Sequence, residues 1–275
     1  MWRITRYRPL LTLLGVLALG QLSRWTGSID LGRLVSRQGV LKTGGLVLTA
    51  LLTGAWRNRS SASTSPGSQA ATAVKCVLTP EQTEGPYYIS REKVRRNITE
   101  HRPGTPLKLQ LAVVDAATCK PIKGAAVDIW HCDAGGIYSG FEAASAGGPP
   151  GGGAGPTDTH TFLRGIQFTD ARGYAEFETI YPGWYRGRTV HIHIKVHLAH
   201  SVVGHVVHTG QLYFPDSLTG RVYRSRPYSA RAAARDTFNN TDGIYQTGGR
   251  QSMLSVKYDG HGGYIGSIAL GVRRS

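Results

Sequence analysis

An all-β fold, an antiparallel β-sandwich with long loops, is the class this sequence predicts, and three features predict it. From about residue 76 onward the chain is a series of short apolar or alternating runs. Helical periodicity is scarce between them. Glycine is abundant, at 36 of 275 residues. Short strands bounded by turn residues, with few helical runs, are the signature of a sandwich.

The elements follow in order. LKLQLAVVDA (Leu107 to Ala116) alternates apolar and polar residues, as a half-buried strand does. ATCKPIKG carries turn residues, and AAVDIWHC (Ala125 to Cys132) alternates again. FLRGIQFTD and YAEFETIYP, joined by Ala171-Arg172-Gly173, predict a hairpin with Arg172-Gly173 in the turn. VHIHIKVHL (Val190 to Leu198) and HVVHTGQLYFP (His205 to Pro215) are further strands, and LSVKYDG and GGYIGSIALGV close the sheet set. Ala230 to Arg235 is the one stretch expected to form a short helical turn. FEAASAGGPPGGGAGPTDTH (Phe141 to His160) is a Gly/Pro-rich loop, expected to be mobile. About 200 residues suffice for one core.

Residues 1–73 read differently from residues 74–275. They hold nine Lys and Arg against Asp30 alone, so much of the formal charge of +15 lies there. LLTLLGVLALG and TGGLVLTALLTGAW each follow positive charge, and neither reaches the roughly 20 apolar residues of a spanning helix. SRQGVLK (Ser36 to Lys42) resembles a twin-arginine export signal, with Gln38 in place of the second arginine. Ala71-Thr72-Ala73 is an A-x-A-like cleavage candidate. Residues 1–73 are therefore expected to be a signal or membrane-anchor segment with a Ser/Pro/Gly-rich linker. The rest is expected outside the cytoplasm, by a Sec or degenerate twin-arginine route. Residues 74–275 carry 23 basic against 16 acidic residues, scattered and without a nucleic-acid motif. Nucleic acid is not an expected partner.

The chemistry concentrates in TIYPGWYRGRTVHIHIKV (Thr179 to Val196). His191 and His193 are two apart in a predicted strand, so both imidazoles leave the same face about 7 Å apart. Tyr185 lies six residues earlier, beyond Pro182-Gly183. Phenolate is a hard anionic donor, and only a strong cation keeps tyrosine ionised at neutral pH. A phenol with two imidazoles therefore points to a hard metal rather than a thiolate site.

Four segments in order then carry a resemblance. LTPEQTEGPYY (Leu78 to Tyr88), GAAVDIWHCDAGGIYSGF (Gly124 to Phe141), TIYPGWYRGRTVHIH (Thr179 to His193) and TGQLYFP (Thr209 to Pro215) resemble the motifs of the intradiol ring-cleavage dioxygenases. The wording WHCDA and YPGWYRGR is similar to the secreted single-domain branch of that family. The resemblance implies Tyr138, Tyr185, His191 and His193 as ligands of one Fe(3+) per chain. It implies a catechol substrate cleaved with O2 between its hydroxylated carbons to a muconate-type diacid. Tyr185 would be the phenolate that leaves as substrate chelates. Arg188 would stabilise charge on the ring, and Gln211, set apart from Thr209 by Gly210, would be a polar donor beside it. Tyr87 and Tyr88 would line the pocket, without an indication of which one faces it. Tyr181 is expected to pack and Arg186 to have no role. The helical N-terminal region of cytoplasmic catechol dioxygenases has no counterpart here, which weakens any carry-over of their dimer and leaves the oligomeric state open, a monomer included. Of three cysteines, Cys132 lies inside a motif segment, which leaves Cys76 and Cys119 as the expected disulfide, although spacing alone does not fix the connectivity.

Two alternatives compete. VVDAATCKPIKGAAVDIW also resembles non-catalytic transthyretin-like modules, which would not require the four donors together. An extradiol-type site would use two histidines and a carboxylate, with Asp128 or Asp133 as the acid.

Overall fold

The strand faces sort cleanly into a shared core and a second, covered face. The computed structural model describes residues 76–146, 155–198 and 200–274. The predicted signal or anchor segment and most of the Gly/Pro run, residues 147–154, lie outside the described residues. Eight strands form two four-stranded sheets. One has the order β4(Tyr174–Ile180), β1(Pro106–Asp115), β8(Tyr264–Val272), β7(Ser255–Tyr258). The other has the order β3(Arg164–Phe168), β2(Ala126–Trp130), β5(His191–His197), β6(Val206–Tyr213). Leu107, Leu109, Leu111 and Val113 of β1 meet Val127 and Ile129 of β2 and Ile192, Ile194 and Val196 of β5 in one core. The period of two places these residues on one side of each strand. No described helix is long and apolar enough to cross a membrane.

The all-β two-sheet fold is the expected one, and three details within it differ. All pairings are antiparallel except that of β8 with β1, which is parallel. Parallel neighbours need a long crossover, and here the chain visits the other sheet before β8 returns beside β1. The expected hairpin of β3 and β4 does not form, because β3 pairs with β2 and β4 pairs with β1. The turn itself is tight, with Asp170 accepting from the backbone N–H of Arg172 and Tyr174, but it carries the chain across the sandwich. Ala230 to Arg235 is not helical beyond Ala230. Helical turns occur instead at Tyr228–Ala230 and Tyr245–Thr247, both 3-10, and in α2(Asp216–Val222), which follows Pro215 directly. A single turn, α1(Glu142–Ser145), opens the Gly/Pro-rich loop.

The second sheet is buried on both faces. Its outer face carries Trp130, His191, His193, Gln211 and Tyr213, all nearly inaccessible. Two segments cover it. Residues 79–98 attach through Gln82 N to Thr209 O and Arg95 N to Ile166 O, and residues 131–146 with 155–163 form the other cover. Cys76 and Cys119 form the disulfide, and Cys132 stays reduced and buried.

Candidate metal centre

Cross-strand register brings the key residues into line. Trp130 pairs with Arg164 on one side and His193 on the other, His193 pairs with Gln211, and His191 with Tyr213. Directly opposed residues share a face, so these six side chains form one patch outside the core. The indole of Trp130 stacks on His193 with centroids 4.9 Å apart and planes 5° from parallel.

The His191 imidazole is fixed from behind, and that of His193 by its stack on Trp130. His191 Nδ1 lies 2.6 Å from the carbonyl of Thr189. A carbonyl only accepts, so Nδ1 carries the proton and Nε2 the lone pair. Nε2 of His191 lies 3.1 Å from Nε2 of His193 and 3.1 Å from the Tyr185 hydroxyl. Gly85 sits against His193: a Cβ there would fall 2.9 Å from Cε1, and its φ of +77° already favours glycine. Burial pushes both imidazoles well below their ordinary pKa, with the nearby Arg188 charge acting in the same direction. Both are therefore neutral at pH 6–7.

Two loops deliver the phenols. Tyr138 follows a turn in which Asp133 Oδ1 accepts from Gly135 N and Ile137 N. Tyr185 follows Gly183, whose N–H donates to Asp133 O and whose missing Cβ would fall 2.3 Å from that oxygen. The close approach of the two loops thus needs glycine at 183. Tyr138 meets the edge of Tyr185 at 5.6 Å between centroids and that of His193 at 6.1 Å. Its hydroxyl is buried and makes no hydrogen bond of good geometry among the described residues, with the Tyr185 hydroxyl its nearest polar neighbour. Burial raises the pKa of both phenols, while Arg188 pulls Tyr185 the other way. Neither ionises at neutral pH without a cation. Two neutral imidazoles whose Nε2 atoms lie 3.1 Å apart, and two phenols that need a positive charge to ionise, form a donor set that fits a hard cation.

Arg188 lies beside this set. Its Nε donates to Asp242 Oδ2 at 2.9 Å and its Nη2 to Gln211 Oε1. Gln211 Nε2 donates to Thr83 O at 3.1 Å, and Tyr213 donates to Gln211 Oε1 at 3.0 Å. Of the tyrosines expected to line a pocket, Tyr87 packs on Tyr138 at 4.6 Å. Tyr88 packs on Trp130 at 4.8 Å beneath Lys195, and so reaches the cluster through the indole. Tyr181 is a packing residue, bonded to Thr219 Oγ1 at 2.7 Å, and Arg186 is exposed.

A two-histidine, one-carboxylate set is not formed. Asp133 holds its own turn and Arg102, and Asp128 faces Tyr88, Glu92, Arg164 and Lys195. Among the described residues the one group of three or more His, Cys, Asp or Glu ligand atoms is Glu142, Asp158 and His160, near the surface and apart from the histidine pair.

Sequence reasoning missed Arg164, Asp242 and the stacking role of Trp130. Arg164 is buried, and its fork donates to Ser139 O, Ser139 Oγ and Tyr87 O. It ties the Tyr138 loop and the Tyr87 segment to the sheet edge. A charged residue between apolar neighbours in FLRGIQF was its one available signal.

Comparisons with known proteins identify the family. A family model described as dioxygenase matches residues 83–219. An intradiol ring-cleavage dioxygenase from Tetranychus urticae is 37% identical with a TM-score of 0.66, over 72% of this chain and 96% of that one. The dioxygenase domain of a dioxygenase–carbohydrate-binding fusion from Streptomyces sp. SirexAA-E is 30% identical with a TM-score of 0.51, over 72% and 99%. Catechol 1,2-dioxygenase 1 of Acinetobacter lwoffii is 30% identical over 112 residues, 39% of this chain and 32% of that relative's length.

Proposed function

The chain belongs to the intradiol ring-cleavage dioxygenase family, and from that premise we propose that it is an iron(III) enzyme cleaving catechol-type diols with O2 to muconate-type diacids. The observation that carries the proposal is the convergence of Tyr185 Oη and His193 Nε2 on His191 Nε2, each at 3.1 Å, with the Tyr138 phenol edge-on to both Tyr185 and His193. Tyr138, Tyr185, His191 and His193 would hold one ferric ion per chain. Bound there, iron supplies the charge that keeps two phenols ionised, a chelating centre for both diol oxygens, and electron withdrawal that opens the ring to O2.

The chain's own groups do the rest. Tyr185 is the less buried phenol, so its Oη is the atom placed to take a diol proton as substrate enters. Tyr138 is fully enclosed and stays as a fixed donor. Arg188 has Nε and Nη2 engaged, which leaves Nη1 to face negative charge developing on the ring. Gln211 holds that guanidinium in place. Tyr87 walls the site against Tyr138, and Tyr88 supports it through Trp130. A transthyretin-like binding module has no use for such a donor set.

We also place the protein outside the cytoplasm, exported or anchored through residues 1–73. The basic residues before both apolar stretches, and the Cys76–Cys119 disulfide, support that reading.

The test is oxygen uptake by the purified protein against a panel of catechols, with the product identified. A red iron–tyrosinate protein with one iron per chain that yields a diacid is the expected result. A colourless protein holding zinc, or a yellow semialdehyde product, overturns it.

A further inference from the structure

Arg188 is gripped from a segment that the family match does not reach. The match ends at residue 219, and Asp242 lies beyond it, in the loop between α2 and β7. Its side chain is wholly inaccessible and accepts four hydrogen bonds. Oδ1 takes the N–H of Ile244 at 2.8 Å and of Tyr245 at 2.9 Å, which clamps the carboxylate to its own turn. Oδ2 takes Arg188 Nε at 2.9 Å and the N–H of Thr189 at 2.7 Å.

The second pair reaches both halves of the site. Thr189 is the residue whose carbonyl holds His191 Nδ1. One carboxylate oxygen therefore braces the catalytic arginine directly and a ligand histidine through a single residue. Asn239 on the same loop adds to the grip, accepting from Thr189 Oγ1 at 2.7 Å and donating to Phe214 O at 2.9 Å. With Asp242 on Nε and Gln211 on Nη2, the plane of the guanidinium is set from two edges. A planar, five-donor group held at two edges has one orientation left.

We infer that Asp242 is the positioning residue for Arg188, orienting its free donors toward substrate without touching substrate itself. The inference rests on the ring-cleavage reading of the site. A loop anchor with no part in turnover is the rival, and a double-mutant cycle separates the two.

The experiment compares wild type, Asp242→Asn, Arg188→Ala and the double variant, all iron-loaded, with the catechol that wild type turns over fastest. Asn keeps the shape but presents no charge to Nε. In Asp242→Asn, kcat is expected to fall about 10–100-fold, the scale of a misplaced catalytic group. KM, iron content and the visible absorption of the iron–tyrosinate are expected to stay near wild type. In the Arg188→Ala background the same change is expected to cost nothing further. Wild-type kcat in Asp242→Asn overturns the inference. So does an equal fold-loss in both backgrounds, which marks a loop anchor only. If Asp242→Asn does not fold, Asp242→Glu keeps the charge, moves it by one methylene and carries the same cycle. Wild-type protein that consumes no O2 with any catechol is a separate result, and it removes the ring-cleavage reading and this inference together.

Discussion

Asp128 offers a measurement in which the structure sets both sign and size. It stands on β2 with both carboxylate oxygens buried, no hydrogen bond of good geometry among the described residues, and only the Tyr88 hydroxyl close enough to favour its ionised form as a donor. Burial, and then the neighbouring Glu92, push its pKa up to about 8, while Tyr88, Arg164 and Lys195 pull the other way. In the unfolded chain the same group titrates near about 3.9. The folded state thus holds the proton more tightly. This group's contribution to stability is full below pH ~4 and is lost as pH rises toward ~8. The slope is about 1.4 kcal/mol per pH unit, so about 3 kcal/mol disappears between pH 5 and pH 7.5. Asp128→Asn removes the titration. Relative to wild type, the variant should gain about 3 kcal/mol over that interval, or roughly 6–12 °C in Tm for a chain of this size. Glu92 is raised for the same reason and loses a repulsive neighbour in the variant, which acts in the same direction. Buried His131, His191, His193 and His208 have depressed pKa values, so their contributions are lost as pH falls below ~6.5. They are common to both proteins and cancel in the difference. Calorimetry of the metal-free proteins at pH 5, 6.25 and 7.5 reads the slope. A difference in stability that does not change with pH would mean that Asp128 is ionised throughout, and the argument fails.

Three further outcomes follow from individual contacts. Tyr138→Phe removes a buried hydroxyl that makes no hydrogen bond of good geometry and has only the Tyr185 hydroxyl beside it, so the metal-free protein should melt within about 1 kcal/mol of wild type; iron titration of the same sample should show lost affinity and colour, and a much lower melt with intact iron binding would reverse the assignment. Gly85→Ala places a methyl 2.9 Å from His193 Cε1 at a positive φ, costing about 1–2 kcal/mol in backbone strain alone; faster iron release to a chelator is the expected reading. Arg164→Leu strips the fork from Ser139 and Tyr87 and leaves Glu92, at 3.8 Å, without its cation, for a loss of about 3–5 kcal/mol in urea unfolding.

What the chain discloses before folding depends on how far apart its cooperating residues lie. His191 and His193 share a strand face, so a period of two was enough to pair them. Tyr185 is six residues away across a turn marked by Pro182-Gly183, and it too stays local. Tyr138 enters only through the resemblance, because no spacing rule connects residue 138 with residue 191. The strand runs were readable one by one, yet the partners of β3 and β4 were not. A tight turn at Asp170 to Tyr174 looks the same whether it joins neighbours in one sheet or crosses between two.

The supports of the site were the least visible, and the reason is chemical. Arg164 bonds to the carbonyls of Ser139 and Tyr87, and His191 to that of Thr189. Every residue owns a carbonyl, so an acceptor of that kind leaves no mark on residue identity. Asp242 does have a distinctive side chain, but it lies 54 residues from Arg188, in a segment with no strand pattern of its own. The outer face of the second sheet adds to the effect. Trp130 and Asp128 alternate with Val127 and Ile129, and alternation alone reads the polar side as solvent-facing. Here it faces a second enclosed layer instead, where burial pushes the Asp128 pKa up to about 8 and keeps imidazoles neutral. The enclosure that hides these groups from a sequence pattern also perturbs their protonation, so their titration is the property by which the site can be tested.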